Sequence, residues 1–131
     1  MIVVDASAIA NMLVYADGRG RKARAIMGRD TEWAAPEHWK AEVFSVLRGL
    51  VLGGKLTHDH GAGALSRIPR LGVDHVSLDP LLPRMWQLRS AVSGYHAAYV
   101  ALAEARDLTL VTADARLARA AARYCRIELA S

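Results

Sequence analysis

The sequence has one cysteine, no long hydrophobic run and no leader-like start, and each shortage excludes a class of protein. The single Cys125 cannot form an internal disulfide, which excludes the small disulfide-stapled folds of secreted proteins. No apolar run reaches the roughly 20 residues that a membrane-spanning helix needs. Met1 leads directly into "IVVD", without the charged and apolar regions of a signal peptide. We therefore expect a cytoplasmic protein with no membrane association.

Proline-rich and low-complexity segments are also absent, so nothing in the sequence marks a linker between domains. With 131 residues, 53% of them hydrophobic, the chain suits one compact domain over residues 1–131. Such a domain buries roughly two-thirds of its unfolded surface. Seventeen Lys plus Arg against thirteen Asp plus Glu give a net charge of +4, which suits an anionic partner such as nucleic acid. An arginine-rich composition set by a GC-rich genome explains this excess equally well.

Short apolar runs alternate with helical patterns along the whole chain. Residues 2–5, "IVVD", form a continuous apolar run that is typical of a central parallel strand. Four further strands are predicted at "TEWAA", "GVDHVSL", "LTLVT" and "CRIELA". The alternation favours an α/β fold, a three-layer α/β/α sandwich with a mostly parallel central sheet.

Cap-forming residues predict where the helices begin. Ser7 is predicted to cap the helix through "AIANMLVYA", and Pro36 to open the helix "PEHWKAEVFSVLRGLVLGG". Asp79 is predicted to cap "DPLLPRMWQLRSA", and Ser93 to cap a helix over about residues 93–106. His38 then falls in the first turn of its helix, where we expect an ordinary surface histidine.

Two aspartates follow predicted strands and are the first candidates for a functional site. Asp5 ends the first strand and Asp114 follows "LTLVT". Because ligands of parallel α/β sheets sit beyond the carboxyl ends of the strands, both carboxylates are expected to face one crevice. The alternative is that each aspartate only caps the helix that follows it.

Glu42 is a third candidate, because it lies within the apolar stripe of its helix, three residues after Trp39 and four before Val46. An inward-facing carboxylate needs a cation, a metal ion or a hydrogen-bond network. The alternative is a glutamate at the edge of the stripe that reaches water or pairs with Arg48 or Lys40. Converging carboxylates without a cysteine cluster favour Mg²⁺ or Mn²⁺, ions that serve phosphodiester hydrolysis.

Four segments together resemble a PIN domain of the VapC toxin type: "IVVDASAIANML", "PEHWKAEVFSVLRGL", "YHAAYVALAEARDL" and "LVTADARLARAA". The resemblance covers nearly the whole chain in order. It implies a three-layer fold whose acidic residues form an Mg²⁺- or Mn²⁺-dependent ribonuclease site. It also implies an RNA substrate, inhibition by a cognate antitoxin, and a homodimer.

The positions that the resemblance assigns to this site are the catalytic acids Asp5, Glu42 and Asp114, with Ser7 and Thr112 beside them. The family's remaining acid corresponds to position 96, where "YDAAYVALAE" is replaced by "YHAAYVALAE". The implied metal ligands are then these three carboxylates and the imidazole of His96.

His96 changes what the resemblance implies. If Ser93 is the cap, position 96 is the third helical residue, where an acid completes a capping box. Because imidazolium is disfavoured at a helix N-terminus, we expect a neutral imidazole that can ligate a metal, weakly for Mg²⁺ and better for Mn²⁺. Reduced ribonuclease activity is the expected result. Two alternatives stay open: a surface histidine without metal contact, and a PIN fold that binds RNA or antitoxin, or acts in a repressor complex, without cutting.

Basic residues on two predicted helices are candidates for an RNA path through phosphate contacts. They are Arg19, Arg21, Lys22, Arg24, Arg116, Arg119 and Arg123. A solvated helix face is the alternative for each of them.

Overall fold

A computed structural model describes residues 1–131 and contains a five-stranded parallel sheet flanked by seven helices. The strands are β1 (Ile2–Val4), β2 (Trp33–Pro36), β3 (Val73–Val76), β4 (Leu110–Thr112) and β5 (Ile127–Leu129). The helices are α1 (Ala6–Val14), α2 (Gly18–Met27), α3 (Trp39–Leu52), α4 (His58–Arg67), α5 (Leu82–Gln87), α6 (His96–Arg106) and α7 (Ala115–Ala121). The predicted three-layer α/β/α fold with a parallel sheet is confirmed.

The strand order of the sheet, β3-β2-β1-β4-β5, determines where a site can form. The chain runs outward from β1 through β2 to β3, then crosses to β4 on the other side of β1 and continues to β5. The direction of winding therefore reverses between β1 and β4. In doubly wound sheets the crevice at the carboxyl ends of the strands on either side of this reversal is where ligands bind.

The two strands at the reversal are the most buried part of the molecule. Val3 pairs with Leu110 and Val4 with Val111, and all four side chains are fully buried. This burial on both faces explains why "IVV" and "LVT" are continuous apolar runs rather than alternating ones. No helix is both long and apolar enough to cross a membrane.

Helix α6 lies directly on the centre of the sheet. It contacts β1, β2 and β4, and all seven residues of Ala97–Ala103 are buried. Because four of these residues are alanine, the helix approaches the strands closely and holds its one buried aromatic side chain, Tyr99, in a fixed position.

Two predicted helix starts near the front of the chain are wrong. Asp5, not Ser7, caps α1: its backbone is extended and its carboxylate accepts a hydrogen bond from the Ala8 amide. Pro36 ends β2 instead of opening α3, which begins three residues later at Trp39. Pairing of β2 with β3 continues up to Pro36, so the extended backbone persists through it.

Two later helix starts are also wrong. Asp79 begins a 3₁₀ turn and makes no capping hydrogen bond, and α5 starts only at Leu82. Ser93 does not cap α6, because Gly94 adopts a left-handed backbone (φ 43°) that interrupts the helical path. The helix begins at His96, which is its first residue and not its third.

Candidate active site

Asp5 and Asp114 follow the neighbouring strands β1 and β4, and the Thr112 hydroxyl links the two residues. Asp5 follows β1 directly and is 3% exposed, and its carboxylate accepts the Ala8 amide at 2.9 Å. Asp114 follows β4 by two residues and caps α7, accepting the Arg116 and Leu117 amides at 2.9 and 3.1 Å. Both aspartates therefore cap helices. Asp114 also lines an open cleft, whereas the almost fully buried Asp5 does not line that cleft.

Two hydroxyl groups join the ends of the strands. Ser7 Oγ donates to Asp5 Oδ1 at 2.7 Å, and Thr112 Oγ1 donates a short hydrogen bond to Asp5 Oδ2. The same two hydroxyls accept backbone amides from beyond β4: Ser7 Oγ from Ala113 at 2.9 Å, and Thr112 Oγ1 from Asp114 at 3.0 Å. Ser7 and Thr112 thus fix the orientation of the Asp5 carboxylate and the position of the chain that carries Asp114.

The environment of Asp5 is unfavourable for a bare negative charge. Burial raises the pKa of its carboxyl above the ordinary value, although hydrogen bonds from Thr112, Ala8 and Ser7 and the charge of His96 act in the opposite direction. A cation bound beside Asp5 would favour the ionised carboxylate again.

His96 stands at the first position of α6, close to both aspartates. Its Nε2 lies 3.9 Å from Asp114 Oδ2, which is near enough for electrostatic attraction but too long for a hydrogen bond. Its charge also acts on the Asp5 carboxyl by lowering the pKa. About a third of the His96 side chain is exposed, and it lines the same cleft as Asp114. Since Ser93 does not cap α6, position 96 is not a capping-box position.

Glu42 faces inward from α3, as its position in the apolar stripe predicts. Its side chain is 19% exposed, and Oε1 accepts a hydrogen bond from the Tyr99 hydroxyl at 2.8 Å. Burial and the Glu42 charge raise the pKa of Tyr99 far above its ordinary value, with a smaller contribution from Asp5. Tyr99 is thus a permanent hydrogen-bond donor that lies between the two carboxylates. Neither Lys40 nor Arg48 pairs with Glu42.

The expectation that His38 is an ordinary surface histidine is wrong, because its side chain is only 16% exposed and lies against Glu42. His38 Nε2 lies 2.9 Å from Glu42 Oε1, but the geometry is not aligned for a hydrogen bond, and neither buried ring nitrogen has a partner. The ring packs against Tyr95 and Tyr99, with centroids 5.1 and 5.7 Å away. The spacing of four residues between His38, which precedes α3, and Glu42 within it could have predicted this contact from the sequence.

The donors at the strand ends fit a hard divalent ion, although not as a four-residue cage. The structure contains no group of three or more Asp, Glu, His or Cys side chains placed to hold one metal ion. Glu42 makes no hydrogen bond to Asp5 or Asp114. Mg²⁺ commonly takes only one or two carboxylates from a protein and keeps several waters. Asp5 and Asp114 match this number and this chemistry.

A basic cleft of about 690 Å³ opens from Asp114 and His96. Arg89, Arg116 and Arg119 line it, and none of their guanidinium groups forms an ion pair with a carboxylate. Arg116 and Arg119 were expected on an RNA path, whereas Arg89 was not.

The cations expected from α2 have partners away from this cleft. Arg19 pairs with Asp17, and the side chains of Arg21, Lys22 and Arg24 bind backbone carbonyl oxygens. None of these four residues lines the basic cleft.

Known proteins resemble the chain over most of its length. A model of the PIN domain family matches residues 2–123. Ribonuclease VapC1 of Mycobacterium tuberculosis is 38% identical over 130 residues, covering 97% of this chain and 96% of the relative. Ribonuclease VapC3 of the same organism is 39% identical over 119 residues, covering 91% of this chain and 86% of the relative.

A solved structure agrees with the fold. The crystal structure of Mycobacterium tuberculosis VapC20, a Sarcin-Ricin loop cleaving toxin, superimposes with a TM-score of 0.67. The match covers 92% of this chain and 95% of that one, at 16% sequence identity. At this identity the likeness concerns the fold alone.

Proposed function

Since the chain belongs to the PIN domain family, we propose that it is a VapC-type endoribonuclease toxin that hydrolyses RNA phosphodiester bonds with Mg²⁺ or Mn²⁺. The observation that carries the proposal is the pair of aspartates at the reversal of the sheet, linked by Thr112, whose hydroxyl donates to the Asp5 carboxylate and accepts the Asp114 backbone amide. Relatives at 38% and 39% identity carry the name ribonuclease.

In this proposal Asp5 and Asp114 hold the metal ion, and Ser7 and Thr112 keep the Asp5 carboxylate in place. When bound, such an ion lowers the pKa of the attacking water and opposes the negative charge that develops on the phosphate. His96 borders the ion as a weak or substitute ligand. Its imidazole offers one nitrogen and no negative charge, so the activity is reduced relative to an acid at this position, more with Mg²⁺ than with Mn²⁺.

Glu42 contributes a further carboxylate, which accepts the Tyr99 hydroxyl and lines a separate depression with His38 and Tyr95. Arg116 and Arg119, which line the cleft with Asp114, bind phosphates that flank the scissile one, since a guanidinium can donate to two oxygens at once. The substrate backbone then runs along the basic cleft, while its reacting phosphate lies at the aspartates. This separation of cations from acids suits a basic protein that cleaves a polyanion.

The assembly expected for this function follows from the family. We propose that a cognate antitoxin inhibits the enzyme, and that the protein acts in the cytoplasm as a homodimer. The names of the relatives support the first of these statements, and size-exclusion chromatography with light scattering tests the last.

The test is cleavage of RNA by the purified protein with Mg²⁺, with Mn²⁺ and with EDTA, beside an Asp114→Asn variant. Asparagine is as good a helix cap as aspartate, so this variant keeps α7 and loses only the charge. We expect cleavage with either metal, none with EDTA, and a loss of roughly 100-fold or more in the variant. Equal cleavage by wild type and variant would contradict the proposal.

A second function, an RNA- or antitoxin-binding protein that does not cut, is favoured by one observation. Position 96 offers an imidazole, and no third donor completes a metal site with the two aspartates. This alternative predicts tight binding of RNA or antitoxin together with no cleavage of varied RNAs, even with Mn²⁺. Metal-dependent cleavage by the wild-type protein would exclude it.

A further inference from the structure

Helix α5 presents an exposed tryptophan at the rim of the basic cleft. Trp86 is 69% exposed, although the Arg89 guanidinium lies over its ring, 4.5 Å from the centroid. Arg89 also donates to the Trp86 carbonyl at 2.9 Å, which holds the two side chains together. Leu82, which is 50% exposed, lines the same depression, so the two side chains form a contiguous exposed apolar patch of the kind that marks interaction sites.

The segment that carries this tryptophan is anchored. Leu88 and Val92, on either side of Arg89, are 2% and 4% exposed and belong to the core. On α5, Arg84 binds Glu104 of α6 through two hydrogen bonds, at 2.6 and 3.0 Å. Trp86 and Arg89 are therefore displayed in a fixed arrangement, which lowers the entropic cost of binding a ligand.

Arg89 connects the tryptophan to the active site. It lines both a depression of about 270 Å³ beside Trp86 and the cleft that contains Asp114 and His96. From the rim inward, a ligand would therefore meet the Trp86 ring, then unpaired guanidinium groups, then the acids. Alternating aromatic faces and cations are the features with which proteins hold single-stranded RNA, where bases stack and phosphates are neutralised.

We propose that Trp86 and Arg89 form a stacking subsite for one unpaired base of the RNA substrate, next to the phosphates bound by Arg116 and Arg119. The inference deepens the proposed ribonuclease function and rests on it. A base stacked on Trp86, at the rim of the cleft, determines which phosphate of the RNA reaches the aspartates. The subsite thus selects single-stranded over duplex RNA, because a paired base cannot leave its stack without cost.

The charge of the surroundings favours RNA over a protein partner. The depression beside Trp86 is largely apolar and contains one arginine, as does the groove between α3 and α4. It differs in that Arg89 also lines the adjoining cleft with Arg116 and Arg119. These three arginines have no carboxylate partner, so an apolar protein surface would have to desolvate them, whereas RNA phosphates pair with them directly.

The test measures binding of a fluorescein-labelled single-stranded oligoribonucleotide by anisotropy, with all proteins in the Asp114→Asn background so that cleavage plays no part. We expect Trp86→Ala to weaken binding roughly tenfold and Trp86→Phe to restore most of it. Phe44→Ala, which removes another half-exposed ring, is the matched control and should leave binding unchanged. Binding of a duplex of the same sequence should not respond to Trp86→Ala.

Salt dependence separates stacking from charge. Arg89→Gln should reduce the slope of log affinity against log salt by about 0.7, the value for one phosphate of a single strand, whereas Trp86→Ala should leave the slope unchanged. Unaltered single-strand affinity in Trp86→Ala would overturn the subsite, as would a change of oligomeric state in light scattering without a change in RNA affinity. If the wild-type protein does not cut but Trp86→Ala still weakens binding, the ribonuclease proposal fails and the subsite stands.

Discussion

The two halves of the candidate site are built in different ways. The strand-end half consists of Asp5, Ser7, Thr112 and Asp114, whose side chains bind backbone amides or one another. The helix half consists of Glu42 of α3 and of His96 and Tyr99 of α6; His96 lines the basic cleft, whereas Glu42 lines a separate depression. Only one hydrogen bond, from Tyr99 to Glu42, joins members of the second half.

The difference shows which positions are tied to the fold. Asp5 and Asp114 cap α1 and α7, so replacing either by a residue that cannot accept hydrogen bonds would damage a helix as well as the site. The side chain at position 96 has no such structural role, because it caps no helix and makes no close hydrogen bond. An imidazole can therefore replace an acid there at little structural cost. The chemistry of the site can change in the helix half without disturbing the strand-end half.

The largest effect is expected when the strand-end half loses its buried charge. Asp5→Asn keeps an oxygen that can accept the Ala8 amide but removes the carboxylate, so RNA cleavage should fall roughly 100-fold or more. Circular dichroism should show an unchanged fold. Near-normal RNA cleavage by a folded Asp5→Asn protein would contradict this comparison, because the strand-end half would then not be required for catalysis.

The same substitution should also change how the free energy of unfolding depends on pH. Burial raises the pKa of the Asp5 carboxyl in the folded protein, so the folded state favours the protonated carboxyl over the charged carboxylate. Without metal, this contribution to the free energy of unfolding is fully present below about pH 4, the pKa of the carboxyl in the unfolded chain. It is lost as the pH rises through the higher pKa of the carboxyl in the folded protein. The unfolding free energy of Asp5→Asn minus that of wild type, from urea titrations in EDTA, should therefore increase between pH 4 and pH 7. Parallel pH profiles would contradict the raised pKa.

A gain of about tenfold, or about 1.4 kcal/mol, is expected from restoring an acid in the helix half. His96→Asp places a carboxylate beside Asp5 and Asp114, so RNA cleavage in Mg²⁺ should rise and the advantage of Mn²⁺ over Mg²⁺ should shrink. Like charges repel, so in EDTA the variant should be less stable than wild type and should gain more from added Mg²⁺. His60→Asp, the same change at an exposed position of α4, is the control and should alter neither RNA cleavage nor the stability gained from added Mg²⁺. No gain in cleavage would count against the role assigned to position 96.

The strand-end half was also the part that the sequence predicted. An apolar run followed by Asp implies a buried strand and a carboxylate at its end, and in a parallel sheet all such ends share an edge. The error at Ser7 arose because Asp5 and Ser7 are both favourable capping residues near the start of α1, and only the hydrogen bond to the Ala8 amide identifies Asp5 as the cap. The start of α6 depended on the left-handed backbone of Gly94, which helical periodicity does not reveal.

The helix half and the basic cleft depend on tertiary contacts that no local pattern encodes. The stripe on α3 predicted an inward-facing Glu42, but not that its partner is a tyrosine 57 residues later. Arg89 and Trp86 were not identified because α5 has no buried residue and its placement rests on Arg84 and on Leu88, which follows it. The periodicity of a short exposed helix carries little information about what it faces.

The smallest effect is expected where the helix half is held together by one hydrogen bond. Tyr99→Phe removes the donor to Glu42 and should lower the unfolding free energy by about 1 kcal/mol, since the part-exposed carboxylate can recover a water. Cleavage should fall a few fold, through kcat more than KM, because the change alters the orientation of Glu42 and not the RNA cleft. Tyr124→Phe is the matched control, because its half-buried hydroxyl makes no hydrogen bond within the protein, and it should change neither quantity. If Tyr99→Phe lowered RNA cleavage as much as Asp5→Asn does, Glu42 would be as important for catalysis as the strand-end acids. The two halves would then differ in their hydrogen bonding but not in their contribution to catalysis.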